Sequence, residues 1–259
     1  MGIALTAMLA FSACERQYCP ESDFRVEPVE GGGSVRIVEY VGNNFEVRIP
    51  PKIGNMSVTH IGADAFSGRR VVDGEWVTGH RLAGITIPDS VIYIETNAFF
   101  YNRLTNVVIP DSVVYIGWEA FMGNALTNVA IGNNVETIEF RAFGFNNLTN
   151  LVIPDSVTDI LCWAFASNQL ASVTIGNNVE FIGSNTFAGN RLASITIPDS
   201  VGEIASMAFA DNRLTSVTIP KGTRISTFFL DDGTWVGTFD QGVSVTRGEI
   251  AASARPDPD

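Results

Sequence analysis

Two consecutive stretches, LTNVAIGNNVETIEFRAFGFNN (residues 126–147) and LTNLVIPDSVTDILCWAFASNQ (residues 148–169), decide the fold. They align without a gap. Leu126 answers to Leu148, Ile131 to Ile153, Val135 to Val157, Ile138 to Ile160, Phe143 to Phe165 and Asn146 to Asn168, each 22 residues on. The same period extends in both directions. Leading leucines stand at Leu82, Leu104, Leu126, Leu148, Leu170, Leu192 and Leu214, and phenylalanines at Phe99, Phe121, Phe143, Phe165, Phe187 and Phe209. A fixed period of this size marks a solenoid, whose units bury their apolar sides only by stacking on one another.

Counting from the leading leucine, apolar residues fall at positions 1, 4, 6, 10, 13 and 18, with Ala or Thr at 17. Alternation at positions 4 and 6 predicts a strand over positions 2–6 with one buried face. Position 7 is Pro or Gly and ends it. Positions 10–13 form a second short extended segment. Positions 14–19 suit one short helical or 3-10 turn, because 22 residues holding two extended segments leave no room for a longer helix. Position 21 is Asn in every regular unit: Asn102, Asn124, Asn146, Asn168, Asn190 and Asn212. Such recurrence calls for a shared structural task. Closing the turn into the next leucine, by left-handed geometry or by side-chain hydrogen bonds, is that task.

Six regular units run from residue 82 to 213, and a seventh begins at Leu214 and decays after Pro220. Upstream, Ser34–Tyr40 and Phe45–Ile49 alternate around Gly42-Asn43-Asn44 and are read as a capping hairpin. Val58, Ile61, Ala65 and Phe66 keep the unit's spacing, and the extra residues before Leu82 read as a loop or small hairpin projecting from one edge. Downstream, the turn Asp231-Asp232-Gly233 and the stretch Thr234–Phe239 read as a hairpin cap, with a further strand at Val243–Thr246. The expected organisation is an export signal or lipobox remnant (1–14), a tether (15–33), an N-terminal cap with an irregular repeat (34–81), the solenoid (82–219), a C-terminal cap (220–246) and a loose tail (247–259).

The export reading rests on the short apolar run Ile3–Ala13 followed by Cys14; Phe11-Ser12-Ala13-Cys14 resembles a bacterial lipobox, in which the cysteine is lipidated. Cys14 and Cys19 also stand close enough in sequence for a disulfide, a pairing that spacing does not decide.

The chain has 259 residues and a formal net charge of -12. No cluster of Lys or Arg is apparent, which argues against nucleic acid as a partner. Three cysteines and two histidines fit no metal spacing, so neither a metal nor a cofactor is expected. No Ser–His–Asp set or phosphate loop is indicated, and the chain reads as non-enzymatic.

The unit L-x-x-V-x-I-P-x-S-V-x-x-I-x-x-x-A-F-x-x-N-x resembles the BspA-type leucine-rich repeat over about residues 45–220. Phe229–Phe239 is similar to a tail that follows such repeats in treponemal proteins. The resemblance implies an α/β solenoid: right-handed, with a parallel β-sheet on one face, short helical or 3-10 turns on the other, and hairpin-like caps. It also implies a cell-surface or secreted protein that attaches to host matrix proteins or to other cells. The family brings no general catalytic residues.

Candidate contacts follow from the unit. Positions 2 and 3 present Thr105, Asn106, Thr127, Asn128, Thr149 and Asn150 on a small, uncharged face. Trp118 and Phe140 share position 15, where they either pack between turns or form an exposed patch. Trp76, in the insert, is the best single aromatic contact, or else folds back as a lid. Position 8 forms an edge of Asp89, Asp111, Asn133, Asp155, Asn177 and Asp199, read as solvated. The expected partner is a protein of the extracellular matrix or of another cell's surface, with membrane attachment only through a lipid anchor. The alternative is a structural envelope protein that associates with copies of itself.

Overall fold

Each unit makes one turn of a three-sided coil, and the sides differ in how they bond to the next turn. A computed structural model describes residues 17–72, 74–225, 228–229, 235–236 and 243–246.

The first side carries the three-residue strands Asn106–Val108, Asn128–Ala130, Asn150–Val152, Ser172–Thr174 and Ser194–Thr196. The central residue faces the core and its neighbours face solvent. The second side carries two-residue strands such as Tyr115–Ile116, Thr137–Ile138 and Asp159–Ile160. These pair in parallel with a shift of one unit, so Ile116, Ile138 and Ile160 lie in register. They belong to one 11-stranded sheet that runs the length of the solenoid. The continuous sheet therefore forms from positions 12 and 13. The strands of the first side pair only in short groups: Asn106–Val108 with Asn128–Ala130, Asn150–Val152 with Ser172–Thr174, and Ser194–Thr196 with Ser216–Ile219.

Alternation at position 7 accompanies two of these pairings. A Cβ on Gly132 would lie 2.3 Å from the carbonyl oxygen of Pro110, and one on Gly176 equally close to that of Pro154. Glycine lets each of these units settle against the proline unit before it. The following asparagine completes the contact, because the main-chain N–H of Asn133 and its Nδ2 both donate to Asp111 Oδ1 at 2.8 and 3.2 Å. Asn177 grips Asp155 in the same way. The edge read from sequence as a solvated acidic ladder is thus partly a set of Asp–Asn clasps.

The third side holds no helix. Among the described residues the only helix is the 3-10 turn Glu21–Asp23. The short turns of each unit instead contain two left-handed residues, at positions 16 and 20: Glu119, Arg141 and Trp163 at φ 54–62°, and Tyr101, Phe145 and Ser167 at φ 51–55°. Left-handed geometry at a non-glycine residue costs about 1–2 kcal/mol. It is offset here by a third ladder between units: the N–H groups of Phe121, Phe143 and Phe165 donate to the carbonyls of Ala142, Ala164 and Thr186 at 2.8–2.9 Å.

Inside these three sides run the leucine, valine, isoleucine and phenylalanine columns, nearly all fully buried. Successive phenylalanine rings from Phe66 to Phe209 stack with centroids 5.0–5.8 Å apart and interplanar angles of 0–20°. The right-handed repeat solenoid with a parallel sheet is as the sequence implied.

The N-terminal end departs from the expectation. Strand β1 (Phe24–Pro28) pairs antiparallel with β2 (Ser34–Tyr40), which in turn pairs in parallel with Met56–Ile61. The strand Glu46–Arg48 goes to the other side of the coil and pairs with Gly84–Thr86. Ser34–Tyr40 and Phe45–Ile49 are therefore not a hairpin. The reason is Tyr40: its ring stacks on Phe66 at 5.4 Å and begins the aromatic column, so the chain continues around the coil instead of reversing. Residues 24–33 are likewise not a tether. Gly31, Gly32 and Gly33, all at positive φ, build the connection between the two strands, and Phe24 is buried 5.5 Å from the Tyr40 ring. β1 is the cap that closes this end of the sheet.

The insert before Leu82 is a hairpin of Arg69–Val72 and Glu75–Thr78. At the far end Phe228–Phe229 pairs with Trp235–Val236, and Val243–Thr246 lies antiparallel to Ser216–Ile219, covering that edge. The apolar run Ile3–Ala13, Cys14 and the tail 247–259 lie outside the described residues. Among the described residues, no helix is long and apolar enough to cross a membrane.

Candidate binding surfaces

Asparagine at position 21 fixes the frame on which every surface is mounted. Asn146 accepts a hydrogen bond from the N–H of Leu126 at 3.1 Å and donates to the carbonyls of Phe121 and Phe143 at 3.0 and 3.2 Å. Asn102, Asn124, Asn168, Asn190 and Asn212 repeat the pattern. The left-handed residue is the one before, at position 20, and the asparagine acts through its side chain. Five of the six are buried; Asn124 is half-buried.

On the first side, Thr105, Asn106, Thr127, Asn128, Thr149 and Asn150 are all exposed. They are not one uniform ladder. Asn128 Nδ2 donates to Asn106 Oδ1 at 3.1 Å, and Ser172 Oγ to Asn150 Oδ1 at 2.7 Å. No strand pairing joins Asn128–Ala130 to Asn150–Val152. A shallow groove of about 360 Å³ lies at that break, with Ala130, Ile131, Val152 and Pro154 along it. Val108 and Val152 are about two-thirds exposed on this side.

The third side carries larger residues. Trp118 is 55% exposed and its ring lies 6.0 Å from that of Phe140. The Arg141 guanidinium sits 4.7 Å over the Phe140 ring and 5.6 Å from the Trp163 ring, and its Nη1 is 3.4 Å from Glu119 Oε1. The left-handed backbone at Glu119, Arg141 and Trp163 turns these side chains outward together. Trp, Arg and Phe beside a flat polar face is the composition of a contact centre. Trp76 lies elsewhere, on the insert hairpin opposite Val71.

One group escaped the sequence reading. His60, Tyr93 and Tyr115 form an outward column on the second side, with ring centroids 4.7 and 6.4 Å apart. The signal was present: each immediately precedes a buried isoleucine, Ile61, Ile94 or Ile116, and so faces away from the core. Burial lowers the His60 pKa, and neighbouring Arg36 adds to the effect. Burial raises that of Tyr115, reinforced by Glu139.

Among the described residues no three His, Cys, Asp or Glu converge as metal ligands. Cys19 and Cys162 are free thiols.

The fold defines a class, the leucine-rich repeat solenoids. The BspA type leucine rich repeat region model matches residues 77–191 and 163–232, more than half of the chain, and the chain belongs to that family. The leucine-rich repeat solenoid is a fold typical of non-catalytic ligand-binding and adhesion proteins. Among curated proteins, no sequence matches the chain. Of solved structures, the pneumococcal vaccine antigen PcpA is 24% identical, with 83% of this chain and 51% of that one covered and a TM-score of 0.53. A leucine-rich repeat protein from Bacteroides ovatus ATCC 8483 is 22% identical over 79% of this chain and 66% of its own, with a TM-score of 0.47. A leucine rich cell surface protein from Faecalibacterium prausnitzii A2-165 is 18% identical over 80% and 90%, with a TM-score of 0.40. The pneumococcal antigen shares the fold; this chain spans about half of its length.

Proposed function

We propose that the protein is a non-enzymatic, surface-displayed binding protein that engages a protein ligand of the extracellular matrix or of another cell through its aromatic side. The observation that carries this reading is the exposure of Trp118 beside Phe140, Arg141 and Trp163. A buried structural tryptophan would have turned into the coil. The Thr–Asn face, with no charged or aromatic anchor among Thr105, Asn106, Thr127, Asn128, Thr149 and Asn150, adds area and hydrogen bonding but little binding energy of its own. Display would follow from export and lipidation at Cys14.

Binding of the purified protein to a panel of matrix and cell-surface proteins tests the reading. The expected result is at least one saturable partner whose affinity drops about tenfold or more with Trp118→Ala, the loss typical of an aromatic anchor. A panel without any saturable partner, or a partner indifferent to Trp118→Ala, contradicts it. Lipidation is tested apart from this, by the intact mass of the membrane-fraction protein. A chain retaining residues 1–13 without acyl mass would contradict the anchor.

A further inference from the structure

We propose that the coil is divided into two-unit blocks, separated by weak junctions at which it bends, and parts first when pulled. Residues 104–147 and 148–191 are the two central blocks, and a further block at each end includes the cap. The first side shows where they divide. Parallel pairing joins Glu46–Arg48 to Gly84–Thr86, Asn106–Val108 to Asn128–Ala130, Asn150–Val152 to Ser172–Thr174, and Ser194–Thr196 to Ser216–Ile219. Among the described residues, no pairing joins one of these couples to the next. Every second junction is therefore open on this side.

The bonds flanking these strands alternate in the same way. At the closed junctions the N–H groups of Thr127, Ala171 and Thr215 donate to the carbonyls of Thr105, Thr149 and Ala193 at 2.8–2.9 Å. Those of Ile109, Ile153 and Ile197 donate to the carbonyls of Ala130, Thr174 and Thr218 at 2.8–2.9 Å. Among the described residues, the counterpart bonds from Thr149 to Thr127, from Ala193 to Ala171 and from Ile131 to Val152 are not made. Side chains reinforce the closed junctions. The Thr127 and Thr215 hydroxyls donate across them at 3.2 Å, and the Asp111–Asn133 and Asp155–Asn177 clasps lie there. Asn134 and Asn178 add bonds from Nδ2 to the carbonyls of Asp111 and Asp155 at 2.7 and 2.8 Å. The open junction between residues 147 and 148 carries isolated corner bonds, from Ser156 Oγ to the Val135 carbonyl at 2.8 Å and from Gln169 Nε2 to Asn147 Oδ1 at 3.0 Å.

The other two sides do not alternate. On the second side Tyr115–Ile116 pairs with Thr137–Ile138 across a closed junction, and Thr137–Ile138 pairs with Asp159–Ile160 across an open one. On the third side Phe121 donates to Ala142 and Phe143 to Ala164, both at 2.8 Å. The phenylalanine column is equally continuous, with Phe143 5.2 Å from Phe121 and 5.4 Å from Phe165. An open junction thus keeps two bonded sides and lacks the third. Its first-side edge parts by pivoting about the other two. Grooves of about 360 Å³ beside Ala130 and Val152, and beside Thr86 and Asn106, are the clefts that such a pivot widens. In a stacked array each unit is stabilised only by its neighbours, so the weaker junctions decide where cooperative unfolding divides. Gly132 and Gly176 deepen the contrast, because only glycine allows their close approach to Pro110 and Pro154.

Pulling the full chain by its ends in a single-molecule force experiment tests the division, whatever the protein binds. Residues 104–147 and 148–191 should each be released as one step of 44 residues. Each such step lengthens the chain by about 150 Å, the reach of that many extended residues. Steps of one unit, about 75 Å each, or loss of the whole coil in a single event would overturn the proposal. The double variant Asp111→Ala/Asp155→Ala removes the clasps from the two central closed junctions. It should raise the share of one-unit steps at least twofold. Asp89→Ala/Asp199→Ala is the control, because the residues one unit on are Asp111 and Lys221 and not asparagine. It should leave the steps unchanged. An unaltered pattern in the first variant, or an equal change in both, would also overturn the proposal. Far-ultraviolet circular dichroism confirms that each variant is folded.

Discussion

Asn146 Nδ2 donates to the main-chain carbonyl oxygen of Phe121, in the preceding unit, at 3.0 Å. Through this bond a polar side chain inside the coil staples two turns of backbone, while its oxygen closes the turn onto Leu126. Replacing Asn146 by Leu leaves the Leu126 N–H without its acceptor, and the Phe121 and Phe143 carbonyls each lose one of two asparagine donors, keeping those from Asn124 and Asn168. The expected cost is about 1–3 kcal/mol per group left unsatisfied. Asn124→Leu, at the half-buried copy, should cost less because water can reach the site. Urea unfolding monitored by circular dichroism measures both; equal and negligible losses would contradict the staple.

The aromatic column makes a separate prediction. Phe143 is fully buried between Phe121 and Phe165, at 5.2 and 5.4 Å, with rings nearly parallel. Phe143→Ala should destabilise by about 3–5 kcal/mol through lost burial and a residual cavity. Because units couple to their neighbours, the midpoint and the sharpness of urea unfolding should both fall.

Gly132 separates backbone approach from mere small size. Gly132→Ala drives a Cβ to 2.3 Å from the Pro110 carbonyl oxygen and should cost about 1–3 kcal/mol. Gly144→Ala meets nothing closer than 3.4 Å and should cost less than about 1 kcal/mol. Thermal melts of the two variants test the contrast.

These positions also mark how far the sequence could be read. The period, the buried columns and the structural nature of position 21 were legible because each depends on residue type recurring at a fixed spacing; the partner of position 21 was not, since Asn146 bonds Leu126, which opens its own unit, and not the next leucine. The first cap was not. Tyr40 stands in for a phenylalanine of the column and Phe24 seals it, but neither lies in a unit whose period could be checked. Glycines 31–33 looked like flexible spacing, while their left-handed geometry serves a turn. The left-handed residues at position 16 were hidden for another reason: Asn97, Glu119, Arg141, Trp163, Asn185 and Met207 share no chemistry. Their conformation is imposed by the bonds between units, not by their side chains.

His60 supplies a pH dependence. Its pKa is lowered on folding, chiefly by burial and then by Arg36. Below the ordinary imidazole value of about 6.5 the unfolded chain takes up a proton that the folded chain resists. His60 therefore makes stability fall as pH drops through and below that value, and contributes no further change above it. His60→Phe should flatten this part of the profile and keep the stacking on Tyr93. Chemical denaturation between pH 5 and pH 8, a window of about 1.5 units either side of that value, reads the difference.

A crystal structure of the protein, resolved well enough to place aromatic rings, tests the stacked column most directly. The account predicts one interior file from Tyr40 through Phe66, Phe99, Phe121, Phe143, Phe165 and Phe187 to Phe209, with neighbouring rings 5.0–5.8 Å apart. Rings of Phe121, Phe143 and Phe165 found in separate environments would contradict it.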